Sequence, residues 1–310
     1  MKNIYEVASA NKRKSIIIIA VFIAFITAAV FFISQAIGIY AGYEPGGLGI
    51  AGLALIISGL MSLGSYYFSD KIVLAISGAR PAKRSSEFNF YTAAENLSIA
   101  AGMPKPKLYV IEDTAMNAFA TGRDPEHAVV CATTGLIDKL DRSELEGVIA
   151  HELTHVRNYD TRLMSIVSVL VGTVALLGDW FLRMSWWGRG RKSEKGSGQI
   201  GAILLVVGLV FALLSPIIAQ LIQLAISRRR EFMADAGSVE LTRQPSGLIS
   251  ALSKISSDTE VLEAANKATA HLYISNPFKD KTKSAVGWFA GLFNTHPPIA
   301  DRIKALQEMV

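Results

Sequence analysis

The chain has 310 residues, of which 51% are hydrophobic and 18% charged, with a formal net charge of +5 and a mean hydropathy of +0.34. Soluble domains carry about 25% charged residues, so the composition argues against a purely water-soluble protein. The basic residues flank apolar runs instead of forming a nucleic-acid stripe. A single cysteine, Cys131, excludes an intramolecular disulfide. It sits in the apolar run Val129–Ala132 and reads as a buried small residue in a strand, not as a metal ligand.

Two long uncharged stretches come first, Ser15 to Tyr43 and Pro45 to Ser69. Each exceeds the roughly 20 residues that cross a bilayer, which predicts spans at Ile16–Ile39 and Leu48–Phe68. Lys12, Arg13 and Lys14 precede an apolar run too long for a cleaved signal peptide, so the first span is expected to stay as an anchor. Ala54, Ser58 and Ser62, four apart, predict a helix-packing face on the second. About 95 residues of mixed pattern follow, the size of a small domain. A helix is expected over Glu87–Ala101, then short strands at Lys107–Ile111, Asn117–Thr121 and Ala128–Thr133, separated by Asp, Gly and Pro. Asp141 with Glu144, and Ser143 with Glu146, offer two overlapping capping boxes at the start of a helix over 143–160. Uncharged stretches recur at Leu163–Gly178 and Ile200–Ile226, the predicted third and fourth spans. Helices are then expected at Arg228–Thr242, Ser246–Ser257 and Ile299–Met309.

Orientation follows from Lys and Arg. The hairpin Gly42–Gly47 holds Glu44 and no basic residue, whereas Lys12–Lys14, Lys71, Arg80, Arg157 and Arg162 lie on the opposite side. That side is expected to be cytoplasmic. Arg228–Arg230 fall there too and read as interface anchors. The basic loop Arg183–Lys195 runs against the rule, because this topology places it outside.

The chemistry is concentrated in His151-Glu-Leu-Thr-His155. Residues four apart share a helix face, so His151 and His155 can bind one zinc ion. Glu152, next to the first histidine, is placed to act as general base on a water that zinc acidifies. Catalytic zinc takes three protein ligands and keeps an open position. Glu231, at the start of Glu231-Phe-Met-Ala-Asp235, is the candidate third ligand. Asp235, four residues on, is placed to accept a hydrogen bond from a zinc-bound imidazole. An antiparallel packing of the third and fourth spans would bring Glu231 level with His155. The bland alternative is that Glu231 pairs with the arginines before it. His127 and His271 read as surface or loop residues.

Four segments resemble the HtpX-type membrane zinc proteases, relatives of the type I CAAX prenyl proteases. They are Asn117-Ala-Phe-Ala-Thr-Gly122, the HELTH stretch, Ser227-Arg-Arg-Arg-Glu231-Phe-Met-Ala-Asp235 and Thr295-His296-Pro-Pro-Ile-Ala-Asp-Arg302. The resemblance implies a thermolysin-like core with one Zn2+ held by His151, His155 and Glu231, and Glu152 as base. It implies quality-control cleavage of damaged membrane proteins on the cytoplasmic face of the cell membrane. By the same resemblance Asn117, Ala118, Phe119 and Ala120 would form an edge strand that accepts extended substrate. His296 would reach into the cleft as a second catalytic residue, and Arg302 would position it or the substrate. Prenyl substrates are disfavoured, because a large intramembrane chamber needs more spans than this chain has.

The expected fold is a membrane α-helical plus α+β protein, with about four transmembrane helices and a zincin catalytic domain. Its parts would be an anchor over 1–70, catalytic pieces at 71–162 and 227–310, and a membrane hairpin at 163–226. The expected partners are polypeptide substrates and the lipid bilayer, with no nucleic acid. A protease cutting inside the membrane is the wrong reading, since HELTH stands among Glu144, Glu146, Arg157 and Asp160. A non-enzymatic scaffold with structural zinc leaves Glu152 without a purpose. No nucleotide-binding G-x-x-x-x-G-K-[ST] occurs, so the chain has no ATP-driven unfolding of its own.

Overall fold

The computed structural model describes residues 4–41, 47–170, 228–265, 269–275, 277 and 297–309. Two long helices come first, α1 (Ile4–Ala41) and α2 (Gly47–Ile76). Neither contains proline; α1 is rich in Ile, Ala and Phe and α2 in Leu, Ile and Ala, so nothing interrupts the backbone ladder. They pack side by side along a row of small hydroxyl residues on α2. Ser58, Ser62, Ser65 and Ser69 are all buried, and Ser58 meets Thr27 of α1 at 3.5 Å. The expected packing face is therefore present at Ser58 and Ser62. Among the described residues, no helix is long and apolar enough to cross a membrane. The two helices nevertheless expose large apolar side chains, among them Ile16, Ile17, Leu53, Leu55, Ile56 and Leu60. The predicted third span is described only to residue 170, and the fourth and the basic loop at 183–195 lie outside the described residues.

The mixed region forms one small sheet with helices on both faces. Its strands are β1 (Arg80–Pro81), β2 (Lys107–Ile111), β3 (Ala118–Thr121) and β4 (Val129–Thr133), in the order β1-β2-β4-β3. β2 and β4 run parallel, and the other pairings are antiparallel. β4 is central and buried on both sides, and its side chains alternate between two cores. Val130 and Ala132 face α3 (Phe88–Ala100), α5 (Arg142–Arg157) and α7 (Pro245–Ser257). Val129 and Cys131 face the end of α2 and Leu163, Met164 and Val167. A near-continuous apolar run is what a doubly covered strand requires. The short helix α4 (Thr134–Lys139) follows β4, and α6 (Arg228–Thr242) and α8 (Ile299–Gln307) complete the described elements used below.

α5 begins at a capping box in which Asp141 accepts from the Glu144 amide and Glu144 accepts from the Asp141 amide. The second expected box is absent: Ser143 Oγ donates to Asp141 Oδ1 at 2.9 Å, and Glu146 pairs with Arg142. The helix also stops earlier than expected. Tyr159 takes φ +58°, a left-handed turn that separates α5 from a second helical stretch over 160–170. Glycines allow α5 to meet its neighbours closely. A Cβ on Gly147 would lie 2.8 Å from the Leu248 backbone, and one on Gly237 would lie 2.4 Å from the Thr154 side chain.

Candidate metal centre

Three elements converge on the motif. α5 supplies His151, Glu152 and His155, α6 supplies Glu231 and Asp235, and the start of the 160–170 helix supplies Asp160. All six are nearly inaccessible to solvent. The ring nitrogens His151 Nε2 and His155 Nε2 lie 3.2 Å apart. Glu231 Oε2 is 3.8 Å from the first and Glu231 Oε1 3.5 Å from the second. These three residues form a group that could hold a metal ion.

The opposite nitrogens are each fixed by a carboxylate. Asp235 Oδ1 lies 2.9 Å from His151 Nδ1, and Asp160 Oδ2 lies 3.0 Å from His155 Nδ1. In a neutral ring each carboxylate holds the proton at Nδ1 and leaves Nε2 as the free electron pair, the arrangement a metal-binding histidine needs. Two such imidazoles and a carboxylate suit a borderline metal such as zinc. Asp235 was expected beside one of the two imidazoles, and it stands at His151. Asp160 was not, although it stands only five residues past His155, just beyond the left-handed turn.

Arg302 shows a different arrangement from the expected one. It is fully buried and grips Asp235 with two hydrogen bonds, Nε to Oδ2 at 2.9 Å and Nη2 to Oδ1 at 2.6 Å. Its Nη1 donates to the Ile274 carbonyl at 3.3 Å. A guanidinium so engaged anchors the carboxylate that lies against His151. Burial opposes the charge on Arg302, but Asp235 and then Glu231 outweigh it and raise its pKa. Burial likewise works against ionised Asp235, and Arg302 with His151 overrides it, holding the carboxyl below its ordinary value. Arg230 departs from expectation too. Instead of facing the interface with Arg228 and Arg229, it is buried and donates to Asp160 Oδ1 at 3.1 Å.

β3 is an outer strand of the sheet, as expected, but its edge is partly occupied. Asn117 O accepts from the Thr133 amide, so the alternating backbone groups of Ala118 and Ala120 turn outward. The Ala118 carbonyl already accepts from Ile274 N–H at 2.9 Å. The Asn117 side chain is buried and donates to Ser275 O at 3.1 Å. It fastens a neighbouring stretch of the chain. Phe119 is buried against Tyr273. Ala120 is left beside the histidines, in a small cavity lined also by Glu152, Thr161, Met164, Leu272 and Ile274. His296 lies outside the described residues. His127 sits away from the centre with its Nδ1 2.6 Å from Asp124 Oδ1.

Comparison with known proteins agrees with this geometry. The profile described as Peptidase family M48 matches residues 89–310, which include every residue of the centre. The chain belongs to peptidase family M48. This M48 peptidase is 44% identical to "Protease HtpX homolog" of Thermoanaerobacter pseudethanolicus over 310 residues, 99% of this chain and 98% of that one. The protein of the same name from Dictyoglomus thermophilum is 45% identical, over 98% of this chain and 94% of its own length. That from Streptococcus uberis is 40% identical over 99% and 100%. It is thus an HtpX-type protease, a metal-dependent peptide hydrolase. Among solved structures, the crystal structure of S. mikatae Ste24p aligns with a TM-score of 0.47 and 18% identity, covering 97% of this chain and 67% of that one.

Proposed function

We propose that this M48 peptidase is a membrane-anchored zinc endopeptidase, working on the cytoplasmic side on misfolded or damaged membrane proteins without ATP of its own. The observation that carries the catalytic part is the convergence of His151 Nε2, His155 Nε2 and Glu231 on one point, with Glu152 lining the same cavity. His151, His155 and Glu231 would hold one zinc ion, which supplies Lewis acidity and brings the pKa of a water towards ~7. Glu152, on the helical turn between the two histidines, takes the proton of the attacking water and returns it to the leaving amine. Asp235 and Asp160 keep both imidazoles in the ligating tautomer throughout. The outward backbone groups of Ala120 are placed to pair with an extended peptide at the edge of β3. His296, just before Pro297–Pro298, is proposed to donate to the developing oxyanion.

The membrane part rests on the exposed apolar sides of α1 and α2. An apolar surface that large is covered by lipid or by another protein, and the charge-free run from Ser15 to Tyr43 suits lipid. Lys12, Arg13 and Lys14 mark the cytoplasmic end, the end at which Asn11 meets the catalytic domain.

Detergent-purified protein loaded with zinc tests the proposal against casein and a destabilised membrane protein. The expected result is cleavage that a chelator abolishes, zinc restores and Glu152→Gln lacks, while Glu152→Gln keeps full zinc content. Cleavage by Glu152→Gln would remove Glu152 as the base. Full zinc stoichiometry in Glu231→Ala would refute the third ligand.

A further inference from the structure

Asp160 links parts of the chain that are far apart in sequence. Besides His155, its carboxylate serves two partners. Asn11 Nδ2 donates to Asp160 Oδ1 at 2.8 Å, and Arg230 Nη1 donates to the same oxygen at 3.1 Å. Asn11 belongs to α1, the anchor helix, and donates also to the Asn158 carbonyl at 2.9 Å. It is buried, and its own carbonyl accepts from Ser15 Oγ at 3.0 Å, which buries a second polar residue one turn on. α1 is thus fastened by its amide to the turn that ends α5. Lower down it is fastened by Phe22 and Ile26, which pack on Ile166 and Leu170.

Lys12, Arg13 and Lys14 beside it are exposed, whereas Asn11 is buried with both amide hydrogens used, so this one polar side chain of the segment has a task beyond meeting water. We propose that Asn11 is a positioning residue of the metal centre, by which the N-terminal helix holds Asp160 and so aims His155 at the zinc. The proposal rests on the zinc reading above. Without Asn11, Asp160 keeps only Arg230 on Oδ1 and is held less firmly against His155. Outer partners of metal-binding histidines, when removed, weaken metal affinity or activity by about 10- to 100-fold. A residue one bond further out, as here, should give a loss near ~10-fold. The N-terminal helix then acts as part of the metal centre, and a catalytic domain expressed without it would bind zinc weakly.

Two readouts on the full-length protein in detergent test this: zinc affinity by competition with a chromophoric chelator, and the visible spectrum of the cobalt-substituted form, which reports ligand geometry. Asn11→Leu keeps the bulk and removes both donors; it is expected to weaken zinc about 10-fold and to change the cobalt bands. Phe22→Ala loosens the same helix and leaves the amide; it is expected to alter neither. Unchanged affinity and spectrum in Asn11→Leu overturn the proposal, and so does an equal loss in Phe22→Ala, which would assign the effect to packing. If Asn11→Leu does not accumulate, Asn11→Asp takes its place with the same two outcomes, since it keeps the shape and turns an oxygen towards Asp160. Failure of wild-type protein to bind zinc would instead overturn the zinc reading, so the two failures are distinct.

Discussion

His151 and His155 lie one helical turn apart yet hold protons very differently. In the metal-free chain burial, and then the Arg302 charge, lower the His151 pKa to about 4. Burial acts on His155 in the same direction, but the Asp160 hydrogen bond and the Glu231, Asp160 and Glu152 carboxylates outweigh it, raising its pKa to about 9. Ligation needs both rings neutral. Metal uptake near neutral pH should therefore release about one proton, from His155, and calorimetry in buffers of different ionisation enthalpy would count it. A release near zero would mean that His155 is already neutral. The stability of the chelated protein should follow the opposite trend. A histidine raised in the folded state stabilises it fully below its ordinary value of 6.5 and loses that contribution as pH rises through about 9. Alkaline conditions thus favour metal loading while weakening the metal-free fold. Arg302→Met would leave Asp235 buried with only the His151 ring beside it and should cost about 3–5 kcal/mol, read from denaturant unfolding. Adding Asp235→Asn should recover much of that stability without restoring metal affinity; recovery of both would remove Asp235 as the orienting group.

At the scale of elements, the separation of α5 and α6 fixes how far Glu231 stands from the histidines, and Gly237 sets that separation against Thr154. Gly237→Ala should push the helices apart, costing about 1–3 kcal/mol and lowering metal affinity. Thr154→Ala in the same chain should return part of both, since the clash is with its side chain. Additive losses in the double variant would place the strain elsewhere. This scale also explains what could be read in advance. HELTH and Glu231–Asp235 were legible because their geometry is helical and local: four residues make one turn, and each pair reaches a shared point from a single helix. The strands β2 to β4 were legible from turn residues on either side of short apolar runs. Asp160 was not, because the helix over 143–160 was expected to continue, and only the left-handed Tyr159 brings Asp160 back to His155. Arg230 looked like one of three equal arginines. Nothing in its neighbours marks it as the one facing inward. Asn11 meets Asp160 across 149 residues, a contact no local pattern encodes, and Arg302, expected to position His296 or the substrate, shows its bond to Asp235 only in the packed fold.

For the molecule as a whole, the topology has a clean chemical test. Cys131 is the single cysteine of the chain and is buried, and burial pushes its thiol up out of the reactive range. A cysteine introduced as Gly190→Cys should then be the one site that reacts in intact cells. Four spans with a cytoplasmic metal centre predict labelling by a membrane-impermeant maleimide added from outside. Labelling from the cytoplasmic side alone would overturn the four-span arrangement and leave the two N-terminal helices as the anchor.

The edge of β3 has a consequence for selectivity. The Ala118 carbonyl and the Asn117 side-chain amide are engaged by Ile274 and Ser275 of the same chain, so a polypeptide pairing with β3 as proposed would compete with an intramolecular segment at high effective concentration. To displace it, a substrate must offer several consecutive backbone groups with no partners of their own. A folded protein has already committed those groups to its own helices and sheets, whereas an unfolded stretch has not. Discrimination between sound and damaged proteins would then be exerted by conformation before any side chain is read, with the protease serving as its own reference competitor.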